Sequence, residues 1–78
     1  MTKQEFYTAF EDVLEIQTGS ITGNEELADL SAWDSLAAIS FIAMADSTIG
    51  MPVTASALRE CQTVDDLAAM FPGKVDFQ

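Results

Sequence analysis

Apolar residues recur at helical spacing near the start of the chain, where Phe6, Phe10, Val13 and Leu14 form one stripe and Glu11, Asp12 and Glu15 fall on the other face. Thr2, followed three residues later by Glu5, is a capping box ahead of that stripe. The pattern predicts a first helix from about Lys3 to about Gln17, stopped by Thr18, Gly19 and Ser20, with Gly19 suited to a left-handed cap. From Ile21 to Trp33 the periodicity lapses into a long loop, with a turn signal at Gly23-Asn24 and charges at Glu25, Glu26 and Asp29. Ile21, Leu27, Leu30 and Trp33 are spaced to pin this loop onto a core. A loop so long in so small a domain is either functional or hides a short helical turn around Glu25 to Asp29.

Asp34 is a good N-cap for the next segment, in which Leu36, Ile39, Ile42, Ala45 and Ile49 repeat every three or four residues up to Gly50. On this phasing Ala37, Ala38, Ser40, Ala43 and Ser47 face outward. Gly50 and Pro52 end the second helix, Thr54 can cap a short third one through about Glu60, and Thr63 with Asp66 resembles a second capping box for Val64 to Phe71. Pro72 and Gly73 close the ordered part, and the tail from about residue 73, Lys74 to Gln78 above all, is expected to fray. No repeat, low-complexity run or strand-like alternation interrupts this pattern. The expectation is an all-α fold, a small four-helix bundle with a long loop between helices one and two, occupying residues 1–78 as a single domain.

Composition narrows what such a bundle can do. A chain of 78 residues holds one core. A hydrophobic fraction of 49% and a mean hydropathy of +0.18, beside 13 acidic residues, suit a packed globule better than an acidic disordered tail. The uncharged apolar stretch from Ser35 to Ala45 is about half of what a membrane span needs. The lone Cys61 and the lack of a leader-like opening suit a reducing cytoplasmic compartment. A net charge of −10, with only Lys3, Arg59 and Lys74 as basic residues, repels nucleic acid and anionic lipid, so partners are expected to offer basic patches. An acidic surface also simply keeps a small protein soluble.

Without histidine the chain lacks the commonest general base and the commonest metal ligand, and no catalytic set and no metal site is expected. Cys61, with no histidine to activate it, reads as a small packing residue. The loop acids lack the alternation of a calcium loop. What remains is Asp34-Ser35-Leu36, a serine at the first position of an apolar helix directly after the long loop. Unpaired N–H groups and the positive end of the helix dipole would tolerate a phosphate on that serine, although in isolation the pair is better explained by Asp34 as an ordinary cap and Ser35 as an ordinary first-turn residue.

The tripeptide together with its setting, an acidic chain with a helix and loop before it and three helices after it, resembles the acyl carrier proteins over essentially Thr2 to Phe71. The stretch Thr63-Val64-Asp65-Asp66-Leu67 is similar to the opening of that family's last helix. The resemblance implies that a phosphopantetheinyl transferase moves 4′-phosphopantetheine from coenzyme A onto Ser35, with Asp34 and Leu36 as flanking motif residues. It implies acyl groups carried as thioesters on the arm and presented to enzymes of fatty-acid, polyketide or related biosynthesis. It implies a monomeric carrier that is acted on by partners and is not itself an enzyme. The family also often shelters a short acyl chain among its helices, and Phe6, Phe10, Ile39, Phe41, Ile42, Met44, Ala45, Ile49, Leu58, Leu67 and Met70 could line such an interior or simply form the core.

One departure bears on the partners. Many family members carry an acidic strip on helix two, whereas here Asp46 is the single carboxylate between Ser35 and Arg59, and eight of the 13 acids lie between Met1 and Asp34. Partners then either grip helix two through Leu36 and Ala37 or read the loop acids Glu25, Glu26 and Asp29. A specialised free-standing carrier fits this better than the housekeeping one of fatty-acid synthesis. Trp33 is expected to anchor the loop, with a partner contact as its other use. Two further readings stay open: an aminoacyl, peptidyl or D-alanyl carrier, and an unmodified acidic helical adaptor.

Overall fold

The computed structural model describes residues 1–76; Phe77 and Gln78, the end of the expected frayed tail, lie outside the described residues. Among the described residues it holds four α-helices and no strand: α1 (Lys3–Leu14), α2 (Ser35–Met44), α3 (Ala55–Glu60) and α4 (Val64–Ala68). A 3-10 turn at Leu27–Asp29 sits in the long loop, as the hidden-turn alternative allowed, and a π-turn at Ala45–Ile49 extends α2. None of the helices is long and apolar enough to cross a membrane.

Each helix starts where a short polar side chain can take up its free backbone donors. The Glu5 N–H donates to Thr2 Oγ1 at 3.0 Å and the Thr2 N–H returns a bond to Glu5 Oε1 at 2.8 Å. Asp34 caps α2, Thr54 caps α3, and Thr63 with Asp66 makes a second capping box for α4.

Helix ends depart further from the sequence pattern. α1 stops at Leu14 rather than near Gln17, because Glu15 takes the left-handed cap position (φ 57°), while Gly19, also at positive φ (92°), lies beyond it in the loop. The cause lies one turn back. Glu11, expected on the solvent face, is fully buried, and its Oε2 accepts the N–H groups of Gly19 at 3.0 Å and Ile21 at 2.9 Å. The chain must reverse at once to bring those donors back onto a carboxylate in the penultimate turn of the helix. α4 likewise ends at Ala68 rather than Phe71: tighter bonds from Met70 N–H to the Leu67 carbonyl and from Phe71 N–H to the Ala68 carbonyl turn Phe71 inward ahead of Pro72. Residues 74–76, within the expected tail, pack back against the start of the chain. Val75 is buried, the Met1 nitrogen donates to the Lys74 carbonyl at 2.6 Å, and Asp76 N–H donates to the Met1 carbonyl at 2.8 Å.

The core is aromatic. Phe6 and Phe10 of α1, Phe41 of α2 and Phe71 after α4 expose no surface. Phe41 stands edge-on to Phe6, Phe10 and Trp33, with ring centroids 6.1, 6.0 and 5.8 Å away, and lies 6.2 Å from Phe71. The long loop is tied to the start of α4 by Leu27 N–H to the Gln62 carbonyl, Val64 N–H to the Glu25 carbonyl and Asp65 N–H to the Gly23 carbonyl. Tyr7 reaches across from α1 to donate to Asp65 Oδ1 at 2.5 Å; burial, then this bond, pushes its phenol well above the ordinary value of 10.0. Gly23 (φ 109°) packs beneath that bond, where a Cβ would strike the Tyr7 hydroxyl and sit 2.6 Å from Asp65 Oδ1.

Gly23→Ala should therefore cost about 2–4 kcal/mol, combining the unfavourable φ with a broken buried hydrogen bond, as read from urea denaturation. A second expectation concerns acid. Backbone N–H donors, Thr2 first, lower the Glu5 carboxyl from its usual 4.5; donors from Gln62 and Thr63 lower Asp66 from 3.8. At Glu25 desolvation pushes upward, but bonds from Thr22, Glu25 itself and Gly23 outweigh it and the carboxyl again falls below 4.5. Lowered carboxyls mean that the folded state binds fewer protons than the unfolded one. Their stabilisation is complete above the ordinary carboxylate range and disappears as pH falls through the lowered values. Urea midpoints should hold between pH 7 and 5 and drop towards pH 3, and Glu25→Gln should flatten part of that slope.

Candidate functional site

Ser35 is the first residue of α2, exposed, at the point where the long loop becomes helix. Asp34 (φ −122°, ψ −173°) makes the transition: its Oδ1 accepts the Ala37 N–H at 2.9 Å while its carbonyl accepts the Ala38 N–H at 2.9 Å. The bond fixes the Asp34 side chain over the first turn. Trp33 fixes the backbone before it, since its N–H donates to the Leu30 carbonyl at 3.0 Å and its indole packs 5.5 Å from the Phe10 ring and 5.8 Å from Phe41. Trp33 is thus the anchor the sequence suggested. Asp34, Ser35 and Leu36 stand together as expected, on a helix start clamped from both sides.

A groove of about 480 Å³ opens beside Ser35, between α2 and α3. Trp33, Ala38, Ile39 and Ile42 form one wall and Ala55 and Leu58 the other, with Asp34, Ser35 and Arg59 as its polar members. On the other flank of α2 a second groove of about 420 Å³ carries Asp12, Glu15 and Asp34 around Leu36 and Ser40. Ser35 therefore stands between an apolar groove with one cation and an acidic groove.

The expected inward stripe of α2 holds at Ala45 and Ile49 but fails in the first turns. The buried stripe is Ala37, Phe41, Ala45 and Ile49; Leu36 and Ile39, expected inside, are 72% and 65% exposed. Ala37, expected as an outward partner contact, is 6% exposed, whereas Ser40, Ala43 and Ser47 do face out. The reason is visible in Ser-Leu-Ala-Ala-Ile-Ser-Phe-Ile-Ala-Met, which is apolar all round, so no polar face marks the outside. Of the loop acids, Glu25 and Glu26 are tied into the loop and to the start of α4. Glu25 Oε1 and Oε2 accept Gly23 N–H and Thr22 N–H at 2.8 Å each, and Glu26 is bridged to Thr63 at the start of α4. Asp12, Glu15 and Arg59 are the site neighbours that spacing did not reveal, because they are brought there by packing of α1 and α3 against α2.

Other reactive candidates are absorbed into structure. Cys61 is half-buried, with Sγ 3.3 Å from Met70 Sδ, and burial, then Asp66 and Glu60, push its thiol up from the usual 9.0. Among the described residues no group of three or more Cys, Asp or Glu is arranged to hold a metal ion.

The site fits one kind of covalent group. An exposed hydroxyl at a capped helix start, with backbone N–H groups and the positive end of the helix dipole around it, accepts a phosphodiester without burying its charge. The groove alongside gives a long, mostly apolar substituent a wall to lie on. The family described as phosphopantetheine attachment site matches residues 4–71, nearly the whole of the described chain. No curated protein and no solved structure matches.

Proposed function

Because the chain belongs to the phosphopantetheine-attachment family, the family of the acyl carrier proteins, we propose that Ser35 is where its 4′-phosphopantetheine arm is joined and that acyl groups ride on the arm as thioesters. Domains of this family are sites of covalent attachment and work with a phosphopantetheinyl transferase and with biosynthetic enzymes. The observation that carries Ser35 is its place: an exposed serine at the capped first turn of α2, at the mouth of the groove between α2 and α3. On attachment the Ser35 oxygen forms a bond to the phosphorus that bears pantetheine, the pyrophosphate bond of coenzyme A breaks, and the nucleotide half leaves. The hydroxyl proton passes to a base on the transferase. The arm supplies the thiol chemistry when present, and this chain supplies position.

The same geometry supports a cargo of acyl type in a fatty-acid, polyketide or related pathway, since the groove walls beside Ser35 are apolar. A single domain, a monomer and a reducing cytoplasm complete the reading; the half-buried, unactivated Cys61 suits such a compartment.

Partners that reach Ser35 meet Leu36 and Ile39 first, the exposed large apolar side chains among the described residues. Asp12, Glu15 and Asp34 surround Leu36, so the fitting partner presents an apolar contact rimmed by Lys or Arg. Acids at the end of α1 take the place of the missing strip on α2.

Two tests follow. Incubation with coenzyme A, magnesium and a broad-specificity phosphopantetheinyl transferase should raise the intact mass of the wild type by one phosphopantetheine and leave Ser35→Ala unchanged; a Ser35→Ala chain that gains the arm would displace the site. Transferase kcat/KM should fall with salt and fall roughly tenfold in Leu36→Glu, the loss of one central contact. Asp12→Asn with Glu15→Gln should remove most of the salt dependence, and Glu26→Gln with Asp29→Asn should leave it in place.

A further inference from the structure

The chain has three basic residues against 13 acidic ones, and Arg59 alone of the three lines the groove beside Ser35. Lys3 instead lies over the Tyr7 ring, 5.9 Å from its centroid. Arg59 sits in the last turn of α3, where a cation complements the helix dipole, and one of its Nη atoms donates to Ser56 Oγ at 3.2 Å. That neutral contact occupies only part of a planar fork whose geometry matches two oxygens of one phosphate or carboxylate. Its companions in the groove are apolar apart from Asp34 and Ser35.

Charge makes this placement consequential. An anion joined to Ser35 enters a chain of net charge −10, directly beside the Asp34 carboxylate. Beyond the helix start itself, no other cationic group lines the groove to offset it. Ser35 and Arg59 are both exposed, so a charge pair between them is open to screening by salt, with Trp33, Ile39 and Leu58 as an apolar wall beside it.

Resting on the reading of Ser35 as the attachment point, we propose that Arg59 is a positioning residue that pairs with an oxyanion carried by the loaded arm, either the phosphodiester at Ser35 or a carboxylate at the end of the acyl cargo. The pairing draws the root of the arm, or the far end of its load, towards α3 and along the groove. It makes the loaded chain tolerate an anionic group that the rest of its surface repels.

The test compares wild type, Arg59→Gln and Arg59→Lys, each as the apo chain and with one arm confirmed by intact mass. The arm is tested as the free thiol, with an acetyl load and with a malonyl load that ends in a carboxylate. The quantity read is the melting temperature of the loaded chain minus that of the apo chain, at low and high salt. Arg59→Gln should lower this difference by about 1–5 °C at low salt, Arg59→Lys should restore part of it, and high salt should erase the gap. A gap already present with the free thiol assigns the phosphodiester; a gap confined to the malonyl load assigns the cargo carboxylate. A merely structural Arg59 would move apo and loaded chains alike. Equal differences in wild type and Arg59→Gln under every load overturn the proposal and leave the carrier reading intact, whereas a wild type that takes up no arm at Ser35 overturns both.

Discussion

Phe41 is the contact on which the rest of this small molecule turns. Its ring meets Phe6 and Phe10 from α1, Trp33 from the end of the loop and Phe71 from beyond α4, so one side chain gathers segments that the sequence keeps far apart. A chain of 78 residues has little other apolar area to draw on, and truncating such a ring costs about 3–5 kcal/mol. The cluster also reaches the site. Trp33 is held by Phe10 and Phe41, Asp34 follows it as the cap, and Ser35 follows the cap, so the position of one exposed hydroxyl is inherited from the centre of the core.

A chain this acidic must do something with its carboxylates, and several of them act as backbone acceptors. Glu5 and Asp66 complete capping boxes, Asp34 caps α2, Glu25 gathers Thr22 and Gly23, and Glu11 gathers Gly19 and Ile21 from inside the protein. Each of these hydrogen bonds fixes either a helix start or the path of the long loop. The acids left over gather unevenly: Asp12 and Glu15 stand with Asp34 around Leu36, and α2 itself is almost uncharged. Ser35 therefore sits at a boundary between negative potential and exposed hydrocarbon, a combination that sorts partners by charge and then by fit.

What could be read from the sequence was what is decided within four residues. Thr2 with Glu5, Asp34, Thr54, and Thr63 with Asp66 each announce a helix start because cap and capped group are near neighbours, and Gly50 does the same for an end through its positive φ. Ser35 could be singled out for the same reason, as a serine beside a visible cap. What escaped was decided at longer range. Glu11 looked like a solvent residue because the donors that bury it are eight and ten positions on. The first turns of α2 were hard to phase because the helix is apolar nearly all round, and there it is Ala37 and Phe41, not Leu36 and Ile39, that turn inward. Arg59, Asp12 and Glu15 reach the neighbourhood of Ser35 only because α1 and α3 pack against α2.

Cys61 acquires a different meaning once a thioester is placed nearby. A carrier that holds an activated ester on a tethered sulfur risks losing it to any nucleophilic sulfur of its own, because thiols exchange acyl groups through the thiolate. Here the chain's single cysteine is half-buried against Met70, and desolvation together with the charges of Asp66 and Glu60 keeps its proton on. Histidine, the other side chain that readily accepts an acyl group near neutral pH, is missing from the sequence altogether. If acyl groups ride here as thioesters, as proposed, neither side chain offers them a ready acceptor.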